Sequence, residues 1–246
     1  MGSKTRFFKW DDSLYFFPKN DVFLTGQGRK FMTHSLHRRG DFESLKDDFV
    51  VLGCPATGVN KKGSAPKTQK FLSICYKHGP INLGDMKTGN IYNTTMDDIL
   101  SRVTDGTIVQ CTFDNREKIV SLLKDLKENR PGISVIISGV TDIVQQCMEE
   151  AGLGRIHSLE YSLGTWGKTD RLPDFQILET VTMCGHAMIS ADLVRKMLRD
   201  VKRGRRTVED ACLELAKCCT CGNYNLTRGI KLFKDLLSKY MVHSLY

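Results

Sequence analysis

The chain has 246 residues with 41% hydrophobic and 26% charged residues, which is enough for one large domain or two small ones around a buried core. Its 36 Lys and Arg exceed its 28 Asp and Glu by 8, which favours anionic partners and disfavours basic ones. No stretch approaches the roughly 20 apolar residues that span a bilayer, and the opening Met1-Gly-Ser-Lys-Thr-Arg6 has no apolar core behind it, so no membrane association is expected and a cytoplasmic location is.

The first fifty residues open on an aromatic cluster, Phe7, Phe8, Trp10, Tyr15, Phe16 and Phe17, that suits an edge strand or a docking arm. Gly26, Gly28 and Arg29 then form a short glycine–basic segment. It matches no complete phosphate-loop pattern but is suited to wrapping an anion. His34 and His37 are spaced to share a helix face. Phe49–Leu52 reads as a buried strand ending at Gly53-Cys54-Pro55. Residues 56–70 have the composition of a loop, made basic by Lys61, Lys62, Lys67 and Lys70. That loop is expected to cover a small anionic substrate. Phe71–Tyr76 is a second strand candidate, and Thr94 or Thr95 caps a short helix.

Residues 107–168 give the clearest pattern. A strand over Ile108–Phe113 leads to a helix capped at Asp114, with Ile119, Val120, Leu122, Leu123 and Leu126 on its apolar face. Ile133–Val140 is an unbroken apolar run, as in a strand covered on both sides. Thr141 caps the next helix, and Ile156–Leu163 supplies a further strand. The order β-α-β-α-β predicts an α/β fold with a mixed or parallel sheet and flanking helices. Beyond residue 169 the pattern turns helical, with caps at Ser190 and Thr207 and a last helix from Asn225. The expected organisation is a mixed segment over 1–106, the β-α-β-α-β unit over 107–168, and a helical, cysteine-bearing segment over 169–246.

Nine cysteines are many for a chain with no secretory signal. Cys75, Cys111, Cys147 and Cys212 fall on apolar faces, where a thiol acts as a small hydrophobe. Cys184, Cys218, Cys219 and Cys221 fall instead where helices start or stop, beside glycine or other small residues. Soft thiolates in such loops are ligands for iron–sulfur clusters or zinc. Three thiolates, from Cys184, Cys221 and either Cys218 or Cys219, leave the fourth position to the remaining neighbour, to Cys54, to His186 or to nothing. Zinc sites usually come as two spaced pairs and only one pair is evident, so an iron–sulfur centre, [4Fe-4S] by preference, is expected. His186 and the Lys61–Lys67 loop would then face a small anionic substrate.

The seven basic residues between Arg195 and Arg206 suit an acidic electron carrier or, less well for want of aromatics, nucleic acid. Three functions follow as expectations. The first is an iron–sulfur redox or lyase-type enzyme, the second a zinc-stabilised nucleic-acid-binding module using the basic helix over 195–206. The third is a thiol oxidoreductase using Cys218 or Cys219 with Cys221.

Overall fold

A computed structural model describes residues 38–162 and 164–239. A short helix α1 (Phe42–Leu45) precedes strand β1 (Phe49–Cys54) and helix α2 (Ala65–Lys77). Strands β2 (Asn82–Asp85) and β3 (Gly89–Asn90) form a hairpin, followed by α3 (Met96–Arg102), β4 (Val109–Phe113), α4 (Arg116–Asn129), β5 (Ser134–Ser138) and α5 (Thr141–Glu150). After a linker with a single 3₁₀ turn at Thr169–Arg171 come α6 (Phe175–Val181), α7 (Ala191–Lys202), α8 (Val208–Cys218) and α9 (Leu226–Lys239).

The five strands form one sheet in the order β3-β2-β4-β1-β5, and every neighbouring pair is antiparallel. This overturns the expected mixed or parallel sheet. The β4-α4-β5 unit is present and its two strands do run the same way. However, β1 lies between them and pairs antiparallel with both, so the unit is a split β-α-β. A connection long enough to cross one strand also crosses two, and the intervening strand comes from elsewhere in the chain. The predicted strand over Phe71–Tyr76 is instead the second half of α2. Pro66 stands in the first turn of that helix, and Thr68, Phe71, Leu72 and Cys75 recur on its buried side. The predicted strand at Ile156 is absent among the described residues, where 155–168 has no regular element; its last residue, Leu163, lies outside them. The aromatic opening, Gly26, Gly28, Arg29, His34 and His37 also lie outside the described residues.

The caps follow short-range chemistry. Thr95, Ser190 and Thr207 each accept the backbone N–H three residues on, as the sequence predicts. For α4 the cap is Asn115 rather than Asp114, with its side chain accepting from Lys118 N.

The two faces of the sheet differ. Phe49, Val51, Leu83, Val109, Cys111, Phe113 and Val135 point to one side and join α2, α3, α4 and α5 in a single apolar core. On the other side the registers line up Val50, Thr112 and Asn82 in one row and Leu52, Gln110, Gly84 and Asn90 in the next. All of these are buried, although four of the seven are polar. The C-terminal helices cover this side. They have their own apolar core, which includes Ile177, Val194, Leu198, Leu215, Tyr224 and Phe233.

A buried ionic knot ties the two halves together. Asp48, just before β1, pairs with Arg228 of α9 at 3.1 Å and with Arg38, and accepts from Asn225 Nδ2 at 2.9 Å. Arg228 also donates to the Arg39 carbonyl and lies 3.7 Å from Glu179 of α6. No helix among the described residues is long and apolar enough to cross a membrane.

Candidate metal centre

Two tight turns, 35 residues apart in sequence, bring sulfur and nitrogen donors together. The first is Cys184-Gly-His186-Ala187, closed by Ala187 N–H to Cys184 O at 3.1 Å. The second is Cys219-Thr-Cys221-Gly222, closed by Gly222 N–H to Cys219 O at 3.0 Å. They share one plan. A cysteine opens each, a second donor sits two residues on, and the fourth residue is left-handed: Ala187 at φ 55° and Gly222 at φ 83°. In both, the backbone N–H just past the left-handed residue lies on the side of the cysteines and lowers their thiol values. Met188 and His186 serve Cys184, and Asn223 serves Cys219 and Cys221. Such N–H···S bonds favour thiolate over thiol and orient it.

Cys219 Sγ lies 3.9 Å from Cys221 Sγ, and Cys221 Sγ lies 3.5 Å from His186 Nδ1, while Cys184 is near enough to Cys219 for each to shift the other's thiol. The three thiols are buried, while His186 is half-buried. The bond from Cys219 holds Cys221 below the ordinary thiol value. Cys219 is drawn down by Cys184 but driven up more by Cys221 and by burial, to about 12. Cys184 is raised by its bond to Cys219 and by burial. Burial lowers His186, which keeps the imidazole neutral and able to ligate.

The spacings can be tested against a metal. A tetrahedral ion with metal–sulfur bonds of about 2.3 Å and metal–nitrogen bonds of about 2.0–2.1 Å separates two ligand sulfurs by about 3.8 Å and a sulfur and a nitrogen by about 3.5 Å. Both measured contacts match these edges. The four donors nevertheless form an open chain rather than a closed cup. Among the described residues, no three His, Cys, Asp or Glu side chains are grouped to hold an ion as they stand.

The second turn is seated on the polar face of the sheet. Asn90 Nδ2 donates to Ala216 O at 3.0 Å and Cys219 O at 2.8 Å, a second bond to carbonyls that also accept the N–H groups of Cys219 and Gly222. Thr112 Oγ1 donates to Gly222 O at 2.8 Å, and Asn82 Nδ2 to Tyr224 O at 3.1 Å. A Cβ on Gly222 would lie 2.6 Å from the backbone of Leu83 and Gly84, so the turn lies directly against β2.

The remaining predicted site residues are elsewhere or otherwise engaged. Cys218 is half-buried, and its thiol donates to the Glu214 carbonyl one turn back. Cys54 ends β1 opposite Ser134, and burial alone pushes its thiol up to about 12. Cys75, Cys111, Cys147 and Cys212 are core residues, as their spacing predicts. The expected basic loop ends at Ser64, and Lys67 and Lys70 lie in the first turns of α2; the loop-to-helix junction is organised around Asp105, which accepts from Gly63 N at 2.7 Å and Ala65 N at 2.9 Å. The first turn of α2 therefore has its own carboxylate in place of an external anion. Lys61 and Lys62 border a shallow surface depression of about 460 Å³, and Lys67 lies beside Gly132. On α7 and just after it, Arg195 pairs with Asp192, and Lys196 and Arg205 with Asp200. This basic stretch is partly self-neutralised.

Sequence reading missed Asn82, Asn90 and Thr112, which hold the second turn. The signal was present in β4, where Val-Gln-Cys-Thr-Phe alternates strictly and so predicts two faces of different polarity. Of the alternatives open for a fourth donor, His186 is the one whose ring nitrogen meets Cys221. No family model matches this chain, and neither the curated proteins nor the solved structures contain a match.

Proposed function

We propose that the protein binds one transition-metal ion, zinc by preference, through Cys184, Cys219, Cys221 and His186. The observation that carries this reading is the pair of like-built turns, each presenting donors at its first and third positions, with one contact of 3.5 Å between the turns, from Cys221 to His186, and one of 3.9 Å within the second turn, from Cys219 to Cys221. Thiolate with imidazole is a donor set for zinc. Binding would release the thiol protons and draw the open chain of donors around the ion. The metal would then bridge the α6–α7 loop to the α8–α9 turn and fix both over the sheet.

An iron–sulfur centre on the three thiolates, serving a redox or lyase-type reaction, is the second reading. It is favoured by the N–H groups aimed at the sulfurs. The close approach of Cys219 to Cys221 favours the single ion, because a cubane cluster keeps its ligand sulfurs on separate irons. The thiol-oxidoreductase reading has less support, since the thiols are buried and only one is lowered.

The test is metal and sulfide content per chain after anaerobic purification. One equivalent of zinc is expected in the wild type, little in Cys221→Ser, and an unchanged amount in Cys111→Ser. Iron with stoichiometric sulfide would assign the cluster instead. Protein that takes up neither metal under reducing conditions would refute both readings.

A further inference from the structure

The second turn holds two thiols in contact. Cys219 Sγ lies 3.9 Å from Cys221 Sγ, and both side chains are buried. The backbone around them is gripped. Cys219 O accepts from Gly222 N–H at 3.0 Å and from Asn90 Nδ2 at 2.8 Å, and Thr112 Oγ1 holds Gly222 O at 2.8 Å. Successive Cα atoms are about 3.8 Å apart, so residues two apart in a closed turn fall within the ~4.4–6.8 Å that a disulfide spans. Joining the sulfurs is then a matter of side-chain rotation rather than of moving the held backbone. Cys218 is turned away, with its thiol donating to the Glu214 carbonyl at 3.4 Å.

We infer that Cys219 and Cys221 are an oxidation site for a small hydroperoxide, closing to a disulfide within the turn of the metal-free chain. No ion is required: the sulfur–sulfur contact and the seat of the turn carry it. The way in is through the first turn, where Ala187 is exposed and half-buried His186 meets Cys221 Sγ at 3.5 Å. A protein disulfide cannot reach sulfurs buried behind that turn. Hydrogen peroxide, about the size of two waters, needs only a local opening of it. Cys221, on the His186 side, is met first. Its sulfur attacks one peroxide oxygen, the O–O bond breaks, and the thiol proton leaves with the departing hydroxide as water. The Cys219 sulfur then attacks the Cys221 sulfenic acid at sulfur, the S–O bond breaks, and the Cys219 proton leaves with that hydroxide as a second water. Two thiols are oxidised and one peroxide is reduced. The disulfide draws the Cys221 sulfur away from His186, so oxidation loosens the outer turn from the inner one.

The full chain, stripped of metal by chelator under reducing conditions and desalted anaerobically, is treated with a small excess of hydrogen peroxide, alkylated and digested with trypsin. Cys218, Cys219 and Cys221 fall in one peptide, 218–228, and Cys184 in another, 172–195. In the wild type, peptide 218–228 should appear two hydrogens lighter with a single alkyl group, on Cys218, about tenfold sooner than the core thiols Cys75 and Cys111 are lost. Cys218→Ser should give the same disulfide, and Cys219→Ser and Cys221→Ser should not. A bridge joining 172–195 to 218–228, a disulfide that vanishes in Cys218→Ser, oxidation to sulfinic acid without a disulfide, or three thiols that remain alkylatable would each overturn the inference. None of these outcomes bears on zinc uptake by the reduced chain, which tests the metal reading separately.

Discussion

The two faces of one sheet are covered by different means. On one face, α2, α4 and α5 meet Phe49, Val51, Cys111 and Phe113 through apolar contact alone. On the other, Asn82, Asn90 and Thr112 donate to carbonyls of a turn, and a knot of charges around Asp48 closes one end. Apolar packing is non-directional and tolerates small shifts. Hydrogen bonds to a turn fix its position, because a buried polar group left unpaired is costly. The polar face is therefore suited to holding donors in register. The cysteines show the same contrast: Cys111 and Cys221 are both fully buried, but only Cys221 has sulfur, imidazole and a backbone N–H as neighbours. Burial does not separate a core thiol from a ligand; the neighbours do.

The contrast can be broken most severely at the charge knot. Asp48→Ala would leave Arg38 and Arg228 buried without their shared carboxylate and should cost about 3–5 kcal/mol in urea unfolding. An equal cost from a change of metal content alone would contradict this. Gly222→Ala meets both a left-handed φ and the backbone of β2. A loss of at least about 2 kcal/mol is expected, together with loss of bound metal. Asn90→Ala removes two buried hydrogen bonds, each the second one to its carbonyl, and should cost about 1–3 kcal/mol, with weaker metal retention under chelator challenge. In the opposite direction, Ala187→Gly relieves a left-handed alanine on an exposed turn, and a gain of about 1 kcal/mol is expected from thermal unfolding.

The smallest effect is expected on the apolar side. Asp105 is held below the ordinary carboxylate value by the N–H groups of Ala65 and Gly63. A depressed folded-state value means that its contribution is fully present above about pH 4 and fades as pH falls through the folded-state value. Asp105→Asn should therefore flatten the acid limb of a stability-versus-pH curve and leave metal content untouched. A change in metal content would show that the two faces are not independent.

Much of the local structure was legible in the sequence. The caps at Thr95, Ser190 and Thr207, the apolar stripe of α4 and the four core cysteines each depend on residues within a few positions of one another. Convergence of the loop cysteines was legible as an expectation because thiols grouped in loops are uncommon without a reason. Two things were misread for one physical cause. The β-α-β order told that β4 and β5 run alike, but nothing local to residues 107–138 records that β1 lies between them. Likewise, Cys-Gly-His and Cys-Thr-Cys look unrelated as strings, and their common turn appears only as backbone angles.

The sequence by itself determined the helices α3, α4, α5, α7, α8 and α9 to within a residue or two at their starts, and which thiols sit in apolar runs, because those depend on near neighbours; α2 was misread as a loop and a strand. The tertiary structure alone decided the antiparallel order of the strands, the use of their polar face as a seat, and the approach of His186, rather than Cys218 or Cys54, to Cys221. Those are contacts between residues 30 to 140 positions apart, and chain spacing carries no information about which of many distant partners a folded backbone will bring within 4 Å.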